Sequence, residues 1–251
     1  MILSDLCITG RRWERSEFSG LDNKQGALDK KHFASYPYAV DYQYNSRGFR
    51  DAEWPSDLSE LQQAVWCVGD SFTAGVGAPV AHTWPQILQQ RLGCRTINVS
   101  MDGASNNWIA RRTRDIAQQV APRVIIVHWS YDHRREAELQ QVLKDFPPDV
   151  DLNAINLDSL RRLHHVGVDS AADVDNTRSC IDLVTELTVP VIHSFIPPPR
   201  HTDAVFDFKS QPAVPKFHQL DWARDGHHYD IKTAEWFVDQ LMPLLQQLNV
   251  A

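Results

Sequence analysis

Four segments, 64–68, 95–99, 124–129 and 189–196, read as strands of a parallel sheet, the first of them a wholly apolar run that reads as buried. Apolar positions at helical spacing predict helices over 84–92, 107–120, 137–144, 174–187 and 231–248. The last of these carries Trp236, Phe237, Leu241, Leu244, Leu245 and Leu248, a stripe that closes a core rather than lines a cofactor site. Strand and helix in alternation predict an α/β fold: a three-layer, doubly wound sandwich around a mostly parallel sheet.

The chain outside this alternation is patterned differently. Residues 11–31 are polar, with Gly20 and Gly26 breaking any helix, and read as a lead-in arm. Tyr36, Tyr38, Tyr42 and Tyr44 follow at even spacing, which predicts an extended segment with one aromatic face, read as packing the arm onto the domain in preference to forming a ligand-stacking wall. The organisation expected is a single domain, with an arm over 1–60 packed on a main body over 61–251. A surface excursion over 147–167, holding a short helix near 157–164, and a long loop over 197–222 are expected to shape access to a ligand site.

Composition narrows the classes. With 251 residues, 43% hydrophobic and 23% charged, the chain can bury a sizeable core. A formal net charge of −7 argues against a broad nucleic-acid face. Cys7, Cys67, Cys94 and Cys180 are scattered and read as free thiols. The first apolar stretch lacks a basic leader and is broken by Asp5, so neither a secretory signal nor a membrane span is read, and a cytoplasmic location is the expectation.

Candidate chemistry starts at Gly69-Asp70-Ser71-Phe72-Thr73-Ala74, directly after the first strand. A serine at the carboxyl end of a strand lies where open α/β sheets place reactive groups, and its hydroxyl becomes a nucleophile if a base approaches. Near the far end, Asp225-Gly226-His227-His228 precedes the final helix. An aspartate three residues before a histidine can fix the imidazole tautomer while the other ring nitrogen takes the serine proton. The α/β-hydrolase elbow Gly-x-Ser-x-Gly is excluded, because Thr73 stands where its second glycine belongs. No Gly-x-Gly-x-x-Gly or P-loop lysine is present. The pairs His164-His165 and His227-His228 lack the companions of a zinc site, so neither metal nor cofactor is expected.

Together these blocks resemble the SGNH hydrolases, the GDSL-type esterases and lipases. Gly69-Asp70-Ser71 is similar to the first family block and Asp225-x-x-His228 to the last, which makes Ser71 the implied nucleophile, His228 its base and Asp225 the orienting acid. Ile97-Asn98-Val99-Ser100-Met101-Asp102-Gly103 resembles the second block, and Asn45-Ser46-Arg47-Gly48-Phe49-Arg50 the lead-in of one branch. The resemblance implies a flavodoxin-like fold, with 61–251 as the catalytic domain, and backbone N–H groups of Ser71 and Gly103 as oxyanion donors.

The third block departs from the family. Its Gly-x-Asn-Asp is replaced by Ser130-Tyr131-Asp132-His133-Arg134, and an ionised Asp132 cannot donate to an oxyanion. Asn106, Asn107 or Ser130 is expected to supply the side-chain donor, Asn106 being the one assigned to the hole. Asp70, Asn107, Ser130, Arg134 and His227 are candidate substrate contacts; Asp70 also reads as a helix cap, and Arg134 as paired internally with Asp132 or Glu136. The expected reaction is cleavage of an ester or O-acyl group on a small molecule or carbohydrate. Transfer of the acyl group to an alcohol by the same triad, and a non-catalytic ligand-binding domain, are the alternatives.

Overall fold

Val65-Trp66-Cys67-Val68-Gly69 forms β1 and is buried at every position, because sheet neighbours flank it and helices cover both its faces. The computed structural model describes Leu6 and residues 8–10, 17–25, 31–136, 170–197, 205–214 and 217–250. Four parallel strands lie in the order β2-β1-β3-β4, with β2 at Thr96–Ser100, β3 at Val124–Trp129 and β4 at Val191–Phe195. Val65 is in register with Thr96 on one side and Val124 on the other, and Ile125 with Val191. The α/β expectation holds, and each strand lies within two residues of its predicted bounds.

The helices are α1 Lys31–Ser35, α2 Leu58–Gln63, α3 Ser71–Ala74, α4 Trp84–Leu92, α5 Asn106–Gln119, α6 Ser170–Thr185 and α7 Ile231–Gln247. Alternation along the strands divides the core in two. Ile125, Val127 and Trp129 pack with Trp108 and Ile109 of α5 and Ile181 and Val184 of α6. Val124 and Ile126 pack with Trp84 and Leu88 of α4 and Phe237 and Leu241 of α7. The pair Arg91–Asp239 joins α4 to α7, but its side chains are 42% and 55% exposed, so it contributes about 0–1 kcal/mol. One buried Leu or Phe contributes about 1.5–3 kcal/mol, so the apolar layer fixes the two helices.

The chain leaves β1 for β2 on one side and later returns to β3 on the other. The crevice at the carboxyl ends of β1 and β3 is therefore the switch point of the sheet, where ligands bind in such folds. Among the described residues, no helix is long and apolar enough to cross a membrane. Cys67, Cys94 and Cys180 carry free thiols. The helices expected at 137–144 and near 157–164, Cys7 and the His164-His165 pair lie outside the described residues. The even-spaced tyrosines do not share one face: Tyr36 donates to Asp230 at 2.8 Å, Tyr38 is exposed and Tyr42 is fully buried.

Two core histidines are neutral. His128 is wholly buried among Trp84, Phe217 and Phe237, with Nδ1 2.8 Å from Ser194 Oγ, and burial drives its pKa from 6.5 to about 3. His193 is lowered to about 4 by burial, against the opposing hydrogen bond with Gln211. The unfolded chain protonates both below about pH 6.5, so the folded state binds fewer protons and stability falls as pH falls. Denaturant titrations are predicted to show falling unfolding free energy between pH 6.5 and 4. His128→Gln should remove about one proton from that slope; an unchanged slope contradicts the assignment.

Candidate active site

Ser71 follows β1 as the first residue of α3, and the turn that carries it is built by its two predecessors. A Cβ on Gly69 would lie 2.1 Å from Thr73 Oγ1 and 3.1 Å from the His128 carbonyl oxygen, so glycine lets Thr73 and the β3 backbone close in on the end of β1. Asp70 caps α3 by accepting from the Phe72 N–H at 3.0 Å.

The second segment is a tight turn ahead of α7. Ala223 N–H donates to the His228 carbonyl at 2.7 Å, and Gly226 N–H to the Ala223 carbonyl at 2.9 Å. Within it, Asp225 Oδ1 accepts from the N–H groups of His227 at 2.9 Å and His228 at 3.0 Å. Its Oδ2 lies 2.5 Å from His228 Nδ1, and His228 Nε2 lies 2.8 Å from Ser71 Oγ. All three side chains are buried, and the Phe72 ring packs on His228 with centroids 4.5 Å apart.

Electrostatics settle the tautomer. Burial raises the Asp225 pKa, but the hydrogen bond and charge of His228 and the two backbone N–H groups outweigh it, and the carboxyl is held below its ordinary value of 3.8. An ionised carboxylate only accepts, so Nδ1 of His228 carries the proton facing it. In the neutral imidazole Nε2 is then the acceptor, able to receive the Ser71 hydroxyl proton.

The remaining candidates divide. Asp70 Oδ2 accepts from Ser130 Oγ at 2.6 Å and from Arg134 at 2.8 Å. Arg134 is therefore paired internally, but with Asp70 rather than with Asp132 or Glu136, because the turn after β3 folds back on the α3 cap. Glu136 is held by Arg111 instead. Asn106 does not supply the oxyanion donor: its amide is buried, Nδ2 is directed to Thr177 Oγ1 at 3.0 Å and the Ser130 carbonyl at 3.4 Å, and Oδ1 accepts from the Ser130 N–H. Asn107 is likewise turned to α6, donating to Asn176 at 2.8 Å. His227 is half-buried, with Nε2 3.4 Å from Tyr131 Oη and its ring 5.0 Å from that of His228. Burial and the neighbouring His228 lower its pKa, so it is neutral.

Gly103 sits in the turn after β2, and the Met101 N–H in that turn donates to the Gly69 carbonyl at 3.2 Å, tying it to the end of β1. No acceptor among the described residues faces the N–H of Ser71 or of Gly103. Sequence reasoning missed Tyr131, which faces His227 from the segment after β3; the position of that segment at the carboxyl end of a strand was the available signal. It also missed the task of Arg50, whose buried guanidinium donates to the carbonyls of Ala74, Gly75 and Ala78, the turn beyond Ser71. A cavity of about 420 Å³ lies against Asp41, Arg50, Val80 and Gln86, with none of Ser71, Asp225 and His228 on its wall. Among the described residues, no group of three or more His, Cys, Asp or Glu is placed to hold a metal ion.

No protein-family model and no curated protein sequence matches the chain. Solved structures that it resembles include TesA, 18% identical over 74% of this chain and 99% of that one, with a TM-score of 0.47. The esterase EstA from Pseudoalteromonas sp. is 14% identical over 74% and 97%, with a TM-score of 0.46. A family two carbohydrate esterase from Clostridium thermocellum is 11% identical over 75% and 65%, with a TM-score of 0.47. None of these three reaches a TM-score of 0.5.

The depressed Asp225 pKa contributes stability that is present above the ordinary carboxylate value and lost as pH falls through the folded one. Asp225→Asn lacks that contribution at every pH. The gap in unfolding free energy between parent and variant is therefore predicted to narrow below about pH 4, as measured by denaturant titration at pH 7, 4 and 3. A gap of constant size means that Asp225 is not held ionised by these contacts.

Proposed function

We propose that this protein is a serine hydrolase of the SGNH type that cleaves an ester or O-acyl group through an acyl-enzyme. One observation carries the reading: Ser71 Oγ stands 2.8 Å from Nε2 of an imidazole whose other nitrogen faces a buried carboxylate. Ser71 attacks the acyl carbonyl as His228 takes its proton, and Asp225 stabilises the imidazolium. His228 then passes that proton to the leaving alcohol. Water, deprotonated by His228, attacks the acyl-enzyme; the bond to Ser71 Oγ breaks, His228 returns the proton to that oxygen, and the acid is freed. The unpaired N–H groups of Ser71 and Gly103 support a two-donor oxyanion hole at the carboxyl edge of the sheet. Each such donor is worth about a hundred- to a thousandfold in rate, so a hole without a side-chain donor suits a modest catalyst or an activated ester.

The test is labelling by a fluorophosphonate probe, with turnover of p-nitrophenyl acetate alongside. The parent is expected to label and Ser71→Ala not to. Asp225→Asn should fold and lose about ten-thousandfold in kcat, because the imidazole is no longer held in the productive tautomer. A folded parent that neither labels nor turns over esters overturns the proposal. Product analysis with an added alcohol separates hydrolysis from acyl transfer.

A further inference from the structure

Beyond the triad, a second buried polar chain runs from the arm into the turn that carries Asp225. Tyr42 is fully buried; its hydroxyl donates to Asp22 Oδ2 at 2.7 Å and accepts from the Gly77 N–H at 2.7 Å. Asp22, also fully buried, takes both arms of the Arg224 guanidinium, Nε to Oδ1 at 3.0 Å and Nη2 to Oδ2 at 2.6 Å. That guanidinium lies over the rings of Phe18 and Phe33, at 5.3 and 4.7 Å from their centroids. The circuit closes where the Arg224 N–H donates to the Gly77 carbonyl at 2.8 Å.

Gly77 is where this circuit meets the chemistry. Its φ is +80°, and a Cβ there would lie 3.1 Å from both Cγ and Oδ1 of Asp225. The backbone at Gly77 thus forms a wall against the carboxylate, while Arg224 precedes that carboxylate by one residue. Any slackening at Tyr42 or Asp22 reaches Asp225 from both sides. Stability alone is a weak account of the circuit, since buried ion pairs return little net free energy after desolvation.

We infer that Asp22, Tyr42 and Arg224 form a positioning relay that holds Asp225, and through it the His228 imidazole, in line with Ser71. This rests on the triad reading proposed above. The relay touches no substrate and acts only through Asp225. Displacing a reacting group by about 1 Å costs about a hundredfold in rate, which sets the scale of the effect.

The experiment compares parent, Tyr42→Phe, Arg224→Lys and Arg224→Met, with folding verified by near-ultraviolet circular dichroism and denaturant midpoints. On p-nitrophenyl acetate, Tyr42→Phe and Arg224→Met are expected to lose about ten- to a hundredfold in kcat with KM unchanged. Arg224→Lys keeps the charge without the fork and should fall between them and the parent. In the Asp225→Asn background, adding Tyr42→Phe should cost nothing more, because the group it positions is gone. The downfield proton resonance of the His228 Nδ1–H is expected to shift or broaden in Tyr42→Phe. A folded Tyr42→Phe with parental kcat, or one whose loss adds in full to that of Asp225→Asn, overturns the relay. Should Tyr42→Phe not fold, the same outcomes are read on Arg224→Lys. Should the parent neither label nor turn over esters, the hydrolase reading fails by itself; an unaltered resonance in the variants then overturns the relay independently.

Discussion

An ionised carboxylate taken out of water is tolerable only where its lone pairs are met, and the Asp225 turn is organised around that demand. Two backbone N–H groups meet one oxygen and the His228 ring meets the other. The same bonds that make the charge affordable also fix the ring's protonation pattern and its direction. Ser71 then needs only to be delivered to the free nitrogen. Sheet topology does this, because parallel strands bring their carboxyl ends to one edge.

Much of this was written in the apolar pattern. The predicted segments became four strands, the first wholly apolar and the second alternating apolar with polar residues, and 124–129 matches β3 end to end. The site's two ends were legible because their geometry is local: Asp70 caps its own helix, and Asp225 reaches only three residues ahead. Other contacts had no such signal. Asp22 and Arg224 lie 202 residues apart, and nothing in either neighbourhood names the other. Arg134 was read against acids nearby in sequence, whereas the fold brings Asp70 to it. The sequence assigns Asn106 to the oxyanion hole, but the packing of α5 on α6 turns its amide toward Thr177.

The segment Ser130-Tyr131-Asp132-His133-Arg134 acquires a physical meaning from these contacts. Ser130 and Arg134 both bond to Asp70, so the segment after β3 is bolted to the cap of the helix that begins with Ser71. Tyr131 is left facing His227, with the Arg134 guanidinium 4.8 Å from its ring centroid. The block braces the serine's turn and sets an aromatic wall beside the second histidine.

Ser71 and His228 are separated by 157 residues, and α7, which seals one face of the sheet, follows the histidine. Contacts of such long range form late, because closing the intervening chain is entropically costly before they reward it. On a ribosome, the serine emerges well before its imidazole has been translated. The growing polypeptide therefore carries an unarmed hydroxyl, and whatever reactivity the finished pair confers is withheld until translation has passed the histidine.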